Sequence, residues 1–250
     1  MRAIIVAAGQ GTRLRPLTNY MPKCLVKLES KPLLEYQLST FDKCGITDIN
    51  IVGGHFADKL KTYPIRLFIN KYYKTTNMVY SLFTAEEVIT ADQDLIISYG
   101  DIIFNKDALS KLMESDADIS VVVDTDWKRY WSLRMEQPLQ DAETLKLTHS
   151  KQITEIGFPA STYSDIDAQY IGLIKISANK IKLLLKIWHS LINDNNDAKF
   201  SPDTMYMTDF IQHLIRLNWE VRAVEISAGW AEIDNTCDLD FALENFNRSL

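Results

Sequence analysis

A loop rich in small and basic residues follows the first apolar stretch of the chain. Four small residues come first: Ala7, Ala8, Gly9 and Gly11. They leave backbone N–H groups uncovered, so a chain of phosphates can lie against the main chain. Positive charge follows at Arg13, Arg15 and Lys23. Because neither the dinucleotide pattern GxGxxG nor the P-loop pattern GxxxxGK[ST] is present, we predict a phosphate-binding loop of another kind.

Three acidic residues from two distant stretches could hold a divalent cation. Asp101 follows the apolar stretch 95–99 and Gly100, which would place its carboxylate at the edge of a sheet beside the first loop. Glu232 and Asp234 alternate with Ile233 and therefore point to one side of an extended segment. Carboxylates this close repel each other unless a cation joins them, and Mg²⁺ prefers such oxygen ligands. We expect Mg²⁺ on Asp101 and Asp234, with Glu232 either binding the ion or supporting its ligands.

Aromatic residues are concentrated in two stretches of the second half. These residues are Trp127, Tyr130, Trp131 and Tyr206. Aromatic faces are the best binding surface for a quaternary ammonium group, at about 0.5 to 2 kcal/mol per ring, and Asp209 or Asp126 could add a carboxylate. We predict a cage that uses at least one tryptophan together with Tyr206. The alternative is that these rings only pack against the sheet.

The hydrophobic pattern predicts the elements that position these residues. In the first half it predicts strands at 3–8, 49–53, 66–70, 95–99 and 119–123 and helices at 33–43, 77–87 and 106–113. In the second half it predicts strands at 145–147, 153–156, 170–176 and 219–226, helices at 180–192, 207–217 and 237–246, and a loop at 193–198. This alternation is typical of an α/β fold with a Rossmann-like, mixed but mostly parallel sheet and helices on both faces. We expect a single domain over 1–250, with a nucleotide-binding half (1–124) and an acceptor-binding half (125–250).

The composition of the chain excludes some classes of binding partner. The chain has 250 residues, with 27 Lys plus Arg against 33 Asp plus Glu and a net charge of −6. No overall basic field is available for a nucleic acid or an anionic membrane. The three cysteines are an odd number and form no CxxC pair, and the opening apolar run is too short for a secretory signal. We therefore expect a cytoplasmic protein, for which a homodimer is one candidate assembly.

The stretch GQGTRLRPLTNYMPK resembles the motif GxG[ST]R[LM]xPxTxxxPK of nucleotidyltransferases that join an NTP to a phosphorylated small molecule. The resemblance implies a fold of the nucleotide-diphospho-sugar transferase type. It also implies that Gly9, Gly11, Thr12 and Arg13 hold the NTP phosphates. Lys23 would neutralise charge on the α-phosphate as it is attacked. Family members carry a metal-binding Asp after the first Gly-Asp and a second acid near the C-terminus, which match Asp101 and Asp234.

Further stretches bear on the acceptor. Sugar-1-phosphate enzymes tend to carry Glu-Lys-Pro in mid-chain, whereas this chain has Phe158 before Pro159. The stretches NMVYSL from Asn77, DAQYIG from Asp167 and WAEID from Trp230 resemble small cytidylyltransferases that act on phosphocholine or 2-aminoethylphosphonate. The resemblance implies that Asn77, Ser81 and Gly100 lie near the nucleotide, and that Tyr170 lies near the acceptor.

Together these observations predict a Mg²⁺-dependent cytidylyltransferase that joins CTP to phosphocholine and releases pyrophosphate. Lys23, Arg13 and Asp101 are the predicted catalytic residues. The alternatives are a 2-aminoethylphosphonate cytidylyltransferase, a sugar-1-phosphate nucleotidyltransferase, and a non-catalytic subunit that only senses nucleotides. Cytosine as the base rests on the resemblance.

Overall fold

A computed structural model describes residues 1–193 and 201–248. The predicted loop 193–198 lies outside these residues except for Asn193, which ends a helix. In the described part of the chain, no helix is long and apolar enough to cross a membrane.

The structure contains thirteen described strands and seven described α-helices. The strands are β1 (Arg2–Ala7), β2 (Lys27–Leu28), β3 (Lys31–Pro32), β4 (Asp48–Gly53), β5 (Arg66–Ile69), β6 (Leu95–Tyr99), β7 (Ile102–Phe104), β8 (Ile119–Asp124), β9 (Glu143–Leu147), β10 (Ile153–Pro159), β11 (Gln169–Ile176), β12 (Val221–Ile226) and β13 (Trp230–Glu232). The helices are α1 (Leu33–Lys43), α2 (Met78–Phe83), α3 (Lys106–Glu114), α4 (Trp127–Arg134), α5 (Ile181–Asn193), α6 (Met207–Arg216) and α7 (Asp238–Asn247).

A seven-stranded sheet forms the centre of the molecule, in the order β12-β8-β11-β6-β1-β4-β5. Neighbouring strands are parallel except around β11, which runs antiparallel to both β6 and β8. The predicted mixed, mostly parallel sheet is therefore confirmed. Three two-stranded pairs, β9 with β10, β7 with β13 and β2 with β3, are added to it.

Apolar side chains cover both faces of the central sheet. One core contains Leu33, Phe41 and Phe104, and the other contains Phe83 and Trp188, whose rings stack with centroids 4.4 Å apart. Burial on both faces explains why the central strands are nearly continuous apolar runs rather than alternating ones.

One predicted helix is shorter in the structure, and one helix of the structure was not predicted. The helix predicted at 77–87 ends at Phe83, and a short 3₁₀ turn follows at Glu86–Val88. Helix α4 was not predicted, because its aromatic residues have only modest helix propensity. It forms because Trp127, Tyr130 and Trp131 share one face at i, i+3 and i+4, and that face is buried.

Candidate active site

The glycine loop follows β1, and the residues of the loop explain its conformation. Gly11 has a φ of +59°, and a Cβ there would lie 3.0 Å from Thr18 Cγ2 and 3.1 Å from Lys23 Cβ. The Thr18 hydroxyl donates a hydrogen bond of 2.7 Å to the Gly11 carbonyl. By contrast, a Cβ on Gly9 would meet no atom within 4 Å in the described ranges. Gly11 is therefore required by the turn, while Gly9 keeps the main chain open to the outside.

The end of β6 brings the first predicted acid beside this loop. The Gly100 N–H donates to the Val6 carbonyl at 2.9 Å, and a Cβ on Gly100 would lie 2.6 Å from the Ala7 Cβ. Only a glycine permits this approach, which places Asp101 next to the end of β1. The C-terminal acids reach the same place because β13 pairs with β7 and the Ile233 N–H donates to the Asp101 carbonyl at 3.0 Å.

Lys23 connects the acids from the two stretches. Its Nζ lies 2.6 Å from Asp101 Oδ2 and 2.8 Å from Asp234 Oδ1, and Arg13 Nη1 lies 2.7 Å from Asp234 Oδ2. Burial alone would lower the pKa of the Lys23 ammonium, but the charges of Asp101, Asp234 and Glu232 raise it above its ordinary value. Lys23 therefore stays charged at the point where the acids converge.

Glu232 has a different partner from the other two acids. Its Oε2 lies 2.8 Å from Arg134 Nη1. Burial raises the pKa of Glu232, Arg134 opposes this shift, and Asp101 adds to it. Within residues 1–193 and 201–248, no group of three acidic, histidine or cysteine side chains is close enough to hold a metal ion. The three acids converge around cations instead of forming an open set of metal ligands, because Lys23 lies between Asp101 and Asp234 and Arg134 contacts Glu232.

One feature of the site fits a cation nonetheless. Asp101 Oδ1 is buried and accepts no hydrogen bond from any described residue. A buried carboxylate oxygen without a donor is costly unless a cation or water satisfies it. Asp101, with Asp234 nearby, thus has the donor chemistry for Mg²⁺, and the metal assignment remains a prediction.

A cavity of about 120 Å³ opens beside the loop and the acids. Its lining includes eight residues predicted for the site: Ala7, Ala8, Gly9, Lys23, Asn77, Ser81, Gly100 and Asp101. Gly11, Thr12 and Arg13 belong to the adjoining turn. The structure therefore brings the residues predicted for nucleotide binding to one place.

Helix α2 forms one wall of the cavity, and Asn70, which was not predicted from the sequence, supports this helix. Asn77 caps α2 by accepting a hydrogen bond from the Met78 N–H at 2.8 Å. Asn70, only 1% exposed, donates to the hydroxyls of Ser81 and Thr76 at 2.9 Å each. Asn70 directly follows β5, and a polar residue at the carboxyl end of a parallel strand is the signal that could have identified it.

The prediction that Trp127 and Trp131 bind the acceptor is wrong. Both side chains are only 4% exposed and belong to the core. The Trp131 ring packs against Trp230 with centroids 6.0 Å apart, and its indole N–H donates to Asp141 Oδ2 at 2.9 Å. These two rings have no free face for an ammonium group, so the packing alternative holds for them.

Of the other predicted acceptor residues, Tyr170 contacts the cavity wall, and Tyr206 and Asp209 follow a segment that contacts it. The Tyr170 ring packs edge-on against Tyr99, which lines the cavity, with centroids 5.6 Å apart. Tyr206 is 59% exposed, and its N–H donates to Asp209 Oδ2 at 3.1 Å. The segment just before them reaches the cavity wall, since the Asn77 N–H donates to the Asp203 carbonyl at 2.6 Å.

Several known proteins resemble the chain in sequence, among them two cytidylyltransferases. CTP:phosphoglutamine cytidylyltransferase of Campylobacter jejuni is 41% identical over 253 residues, which cover 98% of this chain and 100% of that protein. Choline-phosphate cytidylyltransferase of Streptococcus pneumoniae is 43% identical over 105 residues, which cover 38% of this chain and 46% of that protein.

Solved structures show the same fold, and a family model matches much of the chain. CTP:phosphocholine cytidylyltransferase from Streptococcus pneumoniae superposes with a TM-score of 0.70 at 23% identity, covering 96% of both chains. The inositol-1-phosphate CTP transferase from T. maritima gives 0.72 at 21% identity, covering 95% of this chain and 90% of that one. The model of the MobA-like NTP transferase domain matches residues 3–157. The chain belongs to the MobA-like NTP transferase family.

Proposed function

We propose that the protein is a cytidylyltransferase, which transfers CMP from CTP to the phosphate of a small phosphorylated molecule and releases pyrophosphate. The main support is the convergence of Lys23, Asp101 and Asp234 at the mouth of a cavity whose open loop exposes backbone N–H groups. The relative that matches over its full length is also a cytidylyltransferase.

In this mechanism the protein positions the two substrates and neutralises the charge of their phosphates. The acceptor phosphate is already ionised near pH 7, so no general base is needed and an oxygen of this phosphate attacks the α-phosphorus in line. The N–H groups of the loop and Arg13 hold the triphosphate. The Lys23 ammonium neutralises charge that develops on the α-phosphate. When bound, Mg²⁺ on Asp101 and Asp234 would supply further neutralisation of the triphosphate.

For the acceptor we propose a phosphorylated amino acid such as phosphoglutamine. Two observations favour it over phosphocholine. The phosphoglutamine enzyme is similar over the full length, whereas the similarity to the choline-phosphate enzyme covers 38% of this chain. The tryptophans suited to a quaternary ammonium group are also buried. Tyr170, Tyr206 and Asp209 remain our candidates for the acceptor side, where the Asp209 carboxylate suits an ammonium group.

Phosphocholine is the second candidate acceptor, because Tyr206 is exposed beside Asp209 and could still cover a quaternary ammonium group.

A screen for pyrophosphate release tests the proposal. It combines each of the four NTPs with phosphoglutamine, phosphocholine, phosphoethanolamine, 2-aminoethylphosphonate and glucose 1-phosphate. We expect turnover with CTP and phosphoglutamine, and its loss in Asp101→Asn. Turnover only with a sugar phosphate would refute the proposed acceptor class. Calorimetric CTP binding without turnover on any acceptor would instead support a nucleotide-sensing subunit.

A further inference from the structure

A buried ion pair lies behind the acids of the candidate site. Arg134 ends α4 with its side chain 2% exposed, and Asp238 begins α7 with a side chain that is fully buried. Arg134 Nε donates to Asp238 Oδ1 at 2.9 Å, and Nη2 donates to Oδ2 at 3.3 Å. The remaining arm of the guanidinium lies 2.8 Å from Glu232 Oε2. One buried cation therefore contacts two carboxylates from different segments.

Asp238 holds the turn that bears Asp234. Its Oδ2 accepts the Asp234 N–H at 2.7 Å and the Asn235 N–H at 2.9 Å. The Asp238 carboxylate thus accepts hydrogen bonds from two backbone N–H groups and from the guanidinium. Charge-assisted hydrogen bonds orient a carboxylate strongly. The Asp238 carboxylate therefore fixes the path of the chain immediately before α7.

Helix α4 also holds the backbone of Glu232. The Glu232 N–H donates to the Tyr130 hydroxyl at 3.2 Å, and this hydroxyl donates to the Glu232 carbonyl at 3.3 Å. The Arg134 guanidinium lies 5.3 Å from the centre of the Tyr130 ring and 5.4 Å from that of Trp131. These two rings pack against the guanidinium and limit its movement.

We propose that Arg134 and Asp238 are positioning residues that hold Glu232 and Asp234 in place for the reaction. Carboxylates gathered at one site repel each other, so their geometry must be imposed by partners behind them. The charge of Arg134 attracts the Glu232 carboxylate, while the hydrogen bonds to Asp238 restrain the backbone of Asp234. The inference rests on the proposed function for its effect on turnover, whereas the restraint of the acids can be measured without it.

Three variants test the proposal. Arg134→Gln removes the cation, and Asp238→Asn removes the charge that faces it. Lys128→Gln is the matched control, since Lys128 lies exposed on the same helix and its ammonium faces the Tyr163 ring instead of α7. Manganese binding in the presence of CTP is measured by electron paramagnetic resonance, and kcat and KM are measured by pyrophosphate release. Loss of such supporting partners typically weakens metal binding or activity by about 10- to 100-fold.

We expect both Arg134→Gln and Asp238→Asn to weaken manganese binding and lower kcat within this range, with KM for CTP little changed and the control unaffected. Amide hydrogen exchange at Asp234 and Asn235 should accelerate in Asp238→Asn and not in Lys128→Gln. If Arg134→Gln fails to fold, Arg134→Lys keeps the positive charge and should show a smaller loss of the same kind.

Two outcomes separate this inference from the proposed function. Folded variants with wild-type manganese affinity and unchanged amide exchange would overturn the positioning role. If wild-type protein transfers cytidylyl groups to no acceptor, yet these variants lose manganese affinity and amide protection as expected, the positioning role holds and the proposed function fails.

Discussion

Replacing Lys23 by methionine tests the electrostatics of the candidate site directly. Lys23→Met keeps most of the side-chain length but removes the ammonium that lies 2.6 Å from Asp101 Oδ2 and 2.8 Å from Asp234 Oδ1. The two carboxylates then lose their shared cation, and Arg13 remains as a partner of Asp234.

The expected loss in the free energy of unfolding follows from the burial of the Lys23 ion pairs. Removing one partner from a buried ion pair costs about 3 to 5 kcal/mol. Because the side chains of Asp101 and Asp234 keep 22% and 14% exposure, water can hydrate them in part. We therefore expect about 3 kcal/mol, at the lower end of that range. In a chain of this size 1 kcal/mol changes Tm by about 2 to 4 °C, so the metal-free variant should melt about 6 to 12 °C below wild type.

The assay compares thermal unfolding in EDTA and in Mg²⁺. Added Mg²⁺ should raise the Tm of Lys23→Met more than that of wild type, because the ion supplies the missing charge between the carboxylates. Lys27→Met, which changes an exposed lysine in β2, is the control. We also expect kcat to fall by about 10²-fold or more. An unchanged Tm in EDTA would contradict the electrostatic argument, and a change confined to KM would restrict Lys23 to ground-state binding.

Three further predictions concern other parts of the site and the core. Gly9→Ala should fold normally but bind CTP more weakly by calorimetry, whereas Gly11→Ala should lower Tm, because only Gly11 has a positive φ and close neighbours; equal effects on Tm would contradict the assignment of the open loop. Burial raises the pKa of Asp124 to about 6 from an ordinary 3.8, so its contribution to the free energy of unfolding is full below pH 3.8 and is lost as the pH rises through 6. In urea unfolding between pH 4 and 6, Asp124→Asn should make the free energy of unfolding less dependent on pH. The same pH dependence in wild type and variant would contradict the raised pKa of Asp124. Burial raises the pKa of the Cys24 thiol to about 12, so a thiol reagent at pH 8 should modify exposed Cys237 quickly and leave Cys24 intact in the native protein; rapid labelling of Cys24 would refute this.

The sequence predicted those features that depend on local pattern. Central strands such as β6 and the helix α1 follow from apolar periodicity, and their predicted bounds match the structure. The meeting of Asp101 with the glycine loop was also predictable, since the carboxyl ends of parallel strands share one edge.

The features that depend on distant partners could not be predicted. The aromatic face of α4 is compatible with an exposed cage or with a core until Trp230 is known to pack against it. Likewise, no local pattern shows that Lys23 lies between two of the acids while Arg134 takes the third.

The reversed direction of β11 determines which of its ends lies beside the candidate site. Because β11 runs against its neighbours, its first residues, Gln169 and Tyr170, lie at the edge where β6 ends, and Tyr170 reaches Tyr99 there. The beginning of β11 therefore lies at the same edge of the sheet as the carboxyl ends of β6 and β1, and the glycine loop follows β1. With the roles proposed above, substitutions at the beginning of this one strand would alter the acceptor side and leave the glycine loop unchanged.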